Sequence, residues 1–511
     1  MMKVTTLCNS KPDQHSNAHN DAKSCSPPLA GNRWIGIAII ATLLTGSLAT
    51  EASSAESENQ LNVLFIAIDD LNDWVGFLDG NLRASTPQMN ELAKRGCNFT
   101  NAHCDVPVCS PSRVSVMSGV TATKHGSYEL GPGYGQLPAL AHVPTIQRYF
   151  KNHGYRTFSG GKVLHHGFQG RLATDIDHSL GRPRNPKPPE TMNRARNWSR
   201  AWDWGKYPED NTQMGDFQLA NKAGELLKKE FDQPFFMSIG FFRPHVPLHV
   251  PASWFEIYDQ QSLILPNNPK SDLDDLPENF LNINTYAAAP THAEVVSQNA
   301  QRSLTLAYLA STSFVDHCVG ILLNALQNGP HADNTLIVLW SDHGFHLGEK
   351  QHWAKRTLWE ESTRVPLLMA GPGIKPGMTC QQPASLLDIY PTLVELCGLP
   401  TNRHLDGTSL VPQLINPATP RKQPAITSSY HGNHSIRNRD WRLIVYKDGS
   451  EELYDHRNDP DEFHNLAADP KYKTIRDELA SWLPENPVPE VKARSERFRS
   501  NTRNETRKQT R

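Results

Sequence analysis

The chain carries almost no net charge: 51 Lys and Arg stand against 53 Asp and Glu, a balance of −2. Without a field of one sign there is nothing to gather nucleic acid, so any anionic ligand has to be met by a local pocket. Cysteine is sparse, eight in all, and no two form a CxxC pair, which argues against a zinc site and against a dense disulfide framework. The apolar run from Trp34 to Ala49 is shorter than the roughly 20 residues that a spanning helix requires. No repeat of solenoid length is visible. What is present is ample for burial: 38% hydrophobic residues in 511 imply one large domain and a smaller one.

Residues 1 to 32 are polar and aperiodic; Arg33 then precedes an apolar run from Trp34 to Ala49, with small residues at Ala52, Ser53, Ser54 and Ala55. That order predicts a secretory signal region, 1–55, cleaved near Ala55. The mature protein is then exported, periplasmic or secreted, with no stable membrane insertion after cleavage. No Cys follows the run at a lipoprotein position. Cys8 and Cys25 leave with the signal; Cys97, Cys104, Cys109, Cys318, Cys380 and Cys397 stay, and spacing leaves open whether Cys97 and Cys104 bridge.

The run Leu61 to Ile68 is apolar enough for a strand buried on both faces, and Asp69 and Asp70 stand at its end. Thr86 and Pro87 then look like an N-cap and first helical residue and Gly96 like the C′ stop, with Met89, Leu92 and Ala93 inward. A helix from Pro144 to His153 precedes a strand Tyr155 to Phe158, past which lie Lys162 and His165. A Pro- and Arg-rich stretch, 167 to 208, reads as a surface insertion anchored by Trp198, Trp202 and Trp204. A helix over 215–229 leads to a strand Phe235 to Gly240 and then Arg243, Pro244 and His245. After a long loop, 247 to 297, and a long helix over 299–327, the strand Leu336 to Trp340 delivers Asp342 and His343. Four strands thus end in acids, Lys or His, the phase expected of an α/β fold, whose ligands bind outside the carboxyl ends of the strands.

Val365 to Ala370 predicts a further core strand, and composition shifts over 412–424. The expected division is a catalytic domain, 56–420, and a small domain, 426–490, of antiparallel sheet plus one helix near 472–483. The tail 491–511, with eight basic and two acidic residues, reads as disordered and solvated.

The segment that organises these pieces is Cys109-Ser110-Pro111-Ser112-Arg113, running to Gly119. Pro in the first turn and a closing Gly predict a helix that starts just after Cys109, which places the thiol at a helix N-terminus, where free backbone N–H groups favour negative charge. Arg113 falls one turn in. Taken alone, such a Cys is a small buried hydrophobe. The run CxPSR, however, resembles the signature of the type I sulfatases, and so do GKVLH at 161–165, RPHVP at 243–247 and SDHGFHLGEKQHWAK at 341–355, in the order of iduronate 2-sulfatase-like members.

That resemblance implies a large mixed central β-sheet flanked by helices, alkaline phosphatase-like, with a smaller C-terminal antiparallel sheet plus helix. It implies oxidation of Cys109 to formylglycine by a formylglycine-generating enzyme. It also implies one divalent metal, Ca²⁺ or alternatively Mg²⁺, on Asp69, Asp70, Asp342, His343 and residue 109; clustered carboxylates suit such hard cations. His343 stands where arylsulfatases have Asn, and imidazole is a softer ligand than carboxylate. Lys162, His245 and Lys355 are the implied sulfate-binding residues. Catalytic roles fall to Cys109, Arg113, Lys162, His165, His245 and Lys355. The implied reaction is hydrolysis of a sulfate ester on a sulfated sugar. A phosphonate monoester or phosphodiester hydrolase, or an inactive relative that binds sulfated glycans, are the rival readings. His352, Trp353 and Trp359 could face the sugar or pack beneath the rim.

Overall fold

The computed structural model describes residues 60–492 apart from 79, 82, 279 and 281–287. The expected signal region lies outside the described residues, as does the tail beyond 492. The elements that position the site begin with β1 (Asn62–Asp69), α1 (Pro87–Lys94), β2 (Gly96–Phe99), α2 (Cys109–Ser118), α3 (Ile146–Asn152), β3 (Arg156–Gly161) and β4 (His178–Gly181). They continue with α4 (Gly215–Leu227), β5 (Phe235–Pro244), α5 (Gln301–Gln327), β6 (Thr335–Ser341), β7 (Leu367–Ala370), β8 (Met378–Cys380) and α6 (Ile389–Leu396). A smaller sheet follows, formed by β9 (Ala425–Ser428), β10 (His434–Arg437), β11 (Trp441–Val445) and β12 (Glu451–Asp455), with α7 (Lys473–Ala480) beside it.

The large sheet runs β8-β2-β7-β6-β1-β5-β3-β4. Strands β6, β1, β5 and β3 are parallel neighbours, whereas β7 is antiparallel to both β6 and β2, so the sheet is mixed. Side chains alternate along β1: Leu64, Ile66 and Ile68 enter one core with α1, α4 and α5, while Val63, Phe65 and Ala67 enter the other with α2, α3 and α6. A strand covered on both faces has to be apolar at every position, which is why its sequence is continuous rather than alternating. Helix α5 is long and apolar enough to cross a membrane, but most of it is buried inside this fold.

Several local readings change. Thr86 sits at the N-cap of α1 without capping it; its hydroxyl accepts from Gly76 N at 2.9 Å. The free N–H groups of Gln88 and Met89 are instead met by Asp316 of α5, at 3.1 and 2.8 Å. Gly96 opens β2 instead of closing α1 in a left-handed turn. It is required because a Cβ there would lie 2.2 Å from the Met369 carbonyl oxygen. The insertion at 167–208 is more than surface: it supplies β4 at the sheet edge, and its three tryptophans enter the core. All six cysteines of the described chain are free thiols, so Cys97 and Cys104 do not bridge.

The small sheet joins the same compact unit. Ser428 N donates to Asp105 O at 2.7 Å and Thr427 Oγ1 to Cys104 O at 2.5 Å, tying β9 to the segment that leads into α2.

Candidate active site

Four adjacent strands, β6, β1, β5 and β3, end on one edge of the sheet, and the polar residues after them converge. Between Ile68 and Asp69 the pairing of β1 with β5 slips, and Asp70 has φ 60°. Asp tolerates the left-handed region better than most residues, and such strain gathers where a side chain must be aimed. The Asp70 turn is held by Tyr308 of α5, whose hydroxyl donates to Asp70 O at 2.7 Å. On β3, Gly161 (φ 70°) precedes Lys162; a Cβ at Gly161 would lie 1.9 Å from the Gly240 carbonyl oxygen, so only Gly fits.

Helix α2 is buried along its whole length, with Cys109 its first residue and Gly119 closing it at φ 68°. Arg113 is wholly buried. Its Nε donates to Asp342 Oδ2 at 2.8 Å and its Nη2 to Asp69 Oδ1 at 3.2 Å, while Nη1 reaches the carbonyls of Lys162 and Val163. One planar fork thereby joins the ends of three strands, which a lysine could not do. Ser112 Oγ donates to Asp342 O at 2.5 Å, fixing the same helix to β6.

Around the thiol, Lys355 Nζ lies 3.1 Å and His343 Nε2 3.2 Å from Cys109 Sγ. Lys355 also pairs with Asp70 Oδ1 at 2.5 Å, and Lys162 pairs with Asp69. Ala354 (φ 96°) and Arg356 (φ 89°) flank Lys355, so this lysine is presented by a strained stretch of backbone. His343 Nδ1 lies 2.9 Å from the Gly344 carbonyl, which can only accept, so that nitrogen carries hydrogen and Nε2 is left facing the thiol. His245 Nε2 is 3.8 Å from Asp70 Oδ2, and with 28% of its side chain exposed His245 is the site's opening to solvent.

The charges shift one another. Burial alone would raise the Cys109 thiol, but Lys162, Lys355 and His343, with a hydrogen bond from His165, hold it well below the usual thiol range. Burial lowers His343, yet Asp342 outweighs it and lifts the imidazole to about 8. Burial likewise lowers Lys355, while Asp70 and Cys109 hold it above the ordinary lysine range. Asp69 is driven below the carboxylate range by Lys162 against its burial, whereas burial leaves Asp342 raised.

Oxygens of Asp69, Asp70 and Asp342 lie within 4.8 Å of one another, and so do Cys109 Sγ, Asp342 and His343. Asp70 Oδ2 is buried and accepts no hydrogen bond. Three clustered carboxylates with an oxygen left over fit a hard divalent cation. The three carboxylates are matched by Arg113, Lys162 and Lys355; a divalent ion would therefore leave the site with the positive surplus an anionic ester needs.

Every residue expected in the site from the sequence is brought to this one edge. The rim is different: Trp353 and Trp359 are buried, donating to His292 Nδ1 at 3.2 Å and to Glu452 Oε2 at 2.8 Å, so they pack rather than face a ligand. Tyr308 and Ser112 are additions. Ser112 lies within the CxPSR run, but nothing in the sequence of a 27-residue helix marks Tyr308.

The family model described as Sulfatase matches residues 61–399, and that described as N-sulphoglucosamine sulphohydrolase, C-terminal, matches 348–487. A sulfatase of Formosa agariphila is 38% identical over 83% of this chain and 86% of its own. A choline-sulfatase of Rhizobium meliloti is 32% identical over 80% and 83%, and human iduronate 2-sulfatase 28% over 73% and 75%. Among solved structures, the phosphonate monoester hydrolase of Agrobacterium radiobacter superposes with a TM-score of 0.65 at 23% identity, covering 83% of this chain and 95% of that one. A second, bound to its substrate D-glucosamine-2-N,6-O-disulfate, has a TM-score of 0.65 at 22% identity over 83% and 97%. At such identities the structural likeness is one of fold. A sequence match that runs from β1 to beyond α6 makes the chain a member of the sulfatase family, hydrolases of sulfuric esters on an alkaline phosphatase-like fold.

Proposed function

We propose that this sulfatase removes sulfate from a sulfated saccharide, with residue 109, oxidised from cysteine to formylglycine by a maturation enzyme, as the nucleophile. The observation that carries the reading is the setting of Cys109: a helix start, a lysine at 3.1 Å, an imidazole at 3.2 Å and three carboxylates beneath. The saccharide rests on the names of the relatives, an iduronate 2-sulfatase and an N-sulphoglucosamine sulphohydrolase C-terminal region. A choline-like alcohol is disfavoured by charge, because Arg182, Arg184 and Lys187 line the cleft beside His245. The apolar run from Trp34 to Ala49, read as a secretory signal, supports work outside the cytoplasm, in the periplasm or medium.

Asp69, Asp70 and Asp342, with His343 beside them, would hold a divalent cation, Ca²⁺ by the oxygen-rich donor set, with Mg²⁺ as the alternative. Such an ion would supply positive charge against the developing negative charge of sulfuryl transfer. The chain's own groups do the rest. Arg113 holds Asp69 and Asp342 in place and orients residue 109. Water adds to the aldehyde of residue 109 to give a geminal diol; Asp342 takes a proton from the hydroxyl that attacks sulfur, and the bond from sulfur to the sugar oxygen breaks. Lys162 and Lys355 bind the sulfate oxygens, exchanging their carboxylate partners for the ester. His245, with Nδ1 held 2.5 Å from Val246 O, presents Nε2 to protonate the leaving sugar oxygen. His165, facing residue 109, takes the remaining hydroxyl proton as the aldehyde reforms and sulfate departs.

The test is desulfation of a panel of defined oligosaccharides, read by product mass, with Cys109→Ala as the blank. Loss of one sulfate from a saccharide supports the reading. Turnover of an aryl phosphonate in preference to an aryl sulfate would move it to phosphonate ester hydrolysis. Unmodified Cys at 109 in protein from the native host, with binding but no turnover, would move it to a glycan-binding relative.

A further inference from the structure

The reaction accounts for His245 but not for the cations around it. A cavity of about 380 Å³ opens beside His245, lined by Arg182, Arg184, Lys187, Phe242 and Arg243. No ion pair engages these four cations among the described residues. Arg243 spends its donors on backbone carbonyls, Nε to His249 O at 3.0 Å and Nη1 to His245 O at 2.9 Å. Arg182 reaches only His165 O, at 2.8 Å, with its guanidinium 5.0 Å from the Phe242 ring centroid. The other charge near that ring is Lys162, at 5.9 Å, so a single phenyl separates the cleft from the sulfate lysine.

The cleft is also built rather than draped. Asn185 Nδ2 donates to Asp216 Oδ2 at 2.9 Å, and Asn185 Oδ1 accepts from Asp216 N at 3.1 Å. The same buried carboxylate accepts Phe242 N at 2.9 Å and Arg243 N at 3.0 Å, locking the insertion to the end of β5. Gly215 permits the approach, since a Cβ there would come within 2.7 Å of the Arg184 and Pro183 backbone. Burial and Arg113 lower Arg182, and Arg184 lowers it further, with Asp69 offsetting them only in part. Cations gathered along one cleft raise the potential for any anion that enters, and guanidinium forks suit planar or tetrahedral oxyanions.

We propose that this cleft is a second anion site, which takes a carboxylate or a further sulfate of the same molecule whose ester is cleaved at residue 109. It rests on the saccharide reading above and sharpens it: the preferred substrate is at least dianionic. A choline ester would be repelled, and a neutral sugar monosulfate would be bound less well.

Arg184→Ala/Lys187→Ala is the test variant, and Lys228→Ala, on the exposed part of the chain just past α4, the control. Both changed residues are exposed, and thermal unfolding checks that the variant folds. One arm compares a sulfated uronide disaccharide with its methyl ester; the other compares a disulfated with a monosulfated glucosamine. The expected result is at least a tenfold wild-type preference in kcat/KM for the more anionic member of one pair, carried by KM. In the double variant that preference collapses to within about threefold, while the control keeps it. Which pair responds says whether the second group is a carboxylate or a sulfate. A preference absent from both pairs, or one that survives the double substitution, overturns the proposal. If wild type hydrolyses 4-nitrophenyl sulfate but no saccharide, the saccharide reading fails. The cleft then stands only if the disulfated sugar inhibits aryl sulfate turnover at least tenfold better than the monosulfated one and the double variant abolishes that difference.

Discussion

Arg113 Nε donates to Asp342 Oδ2 at 2.8 Å with both side chains wholly enclosed, and this pair fastens the helix that bears Cys109 to the strand end that bears His343. Arg113→Ala would leave Asp342 buried without its guanidinium partner, and Asp69 with Lys162 alone. Breaking a buried ion pair from one side costs about 3–5 kcal/mol. A fall of that size in unfolding free energy by urea titration is expected. Arg113→Lys should recover only part of it, because an ammonium cannot span three strand ends.

Cys109→Ala should abolish turnover, with a loss of about 10⁴-fold or more, as for other nucleophiles that act as part of a unit. Cys109→Ser should differ: with one hydroxyl it attacks but cannot expel sulfate, so intact-protein mass after incubation with substrate should show one added sulfo group. A serine variant that turns over continuously would overturn the two-hydroxyl mechanism.

His245 is assigned a proton for the leaving group, a contribution of about 10²–10⁴ in rate. His245→Ala should lose that much on a sugar sulfate, whose alcohol is a poor leaving group. On 4-nitrophenyl sulfate, whose phenol leaves without help, the loss should be several-fold only. Equal losses on the two would mean that His245 binds rather than protonates.

Adding Ca²⁺ to metal-stripped protein should raise its melting temperature, because a ligand that binds only the folded state stabilises it by about 2.7 kcal/mol at one hundred times Kd. Asp69→Asn should weaken that response, and so should Asp342→Asn. An identical calcium shift in all three proteins would place the ion elsewhere.

Asp316 ties α5 to the start of α1, and burial lifts its carboxyl from 3.8 to about 7 in spite of the Met89 and Gln88 N–H groups. The folded chain therefore keeps a proton that the unfolded chain releases between pH 3.8 and about 7. Its contribution to stability accordingly falls as pH rises through that window and is level above it. Asp316→Asn cannot ionise, so wild type should lose stability relative to the variant across the window, by on the order of 2–4 kcal/mol. Urea midpoints near the two ends of the window measure the difference.

Much was readable in one dimension, and the reason is locality. A strand buried on both faces writes its own apolar run, as at β1, and a helix writes its start and its stop, as at Pro111 and Gly119. The ligand-side phase of an α/β sheet writes polar residues after each strand, which is how Asp69, Lys162, His245 and Asp342 stood out. Where local signals misled, a distant group had intervened. Gly96 looked like a helix stop but serves the close approach of Met369, and Thr86 looked like a cap but yields that task to Asp316.

The sequence by itself pointed to the family, to most of the elements and to the candidates for the site, because CxPSR and its companion motifs are short and each is held within a few residues. Only the tertiary structure decided that β6, β1, β5 and β3 lie side by side, so that four strand ends meet around one sulfur. It alone joined them through the fork of Arg113, and it alone set Arg182, Arg184 and Lys187 beside His245. Strand order and the folding back of a long insertion depend on contacts between residues far apart in the chain, and no short window of sequence contains them.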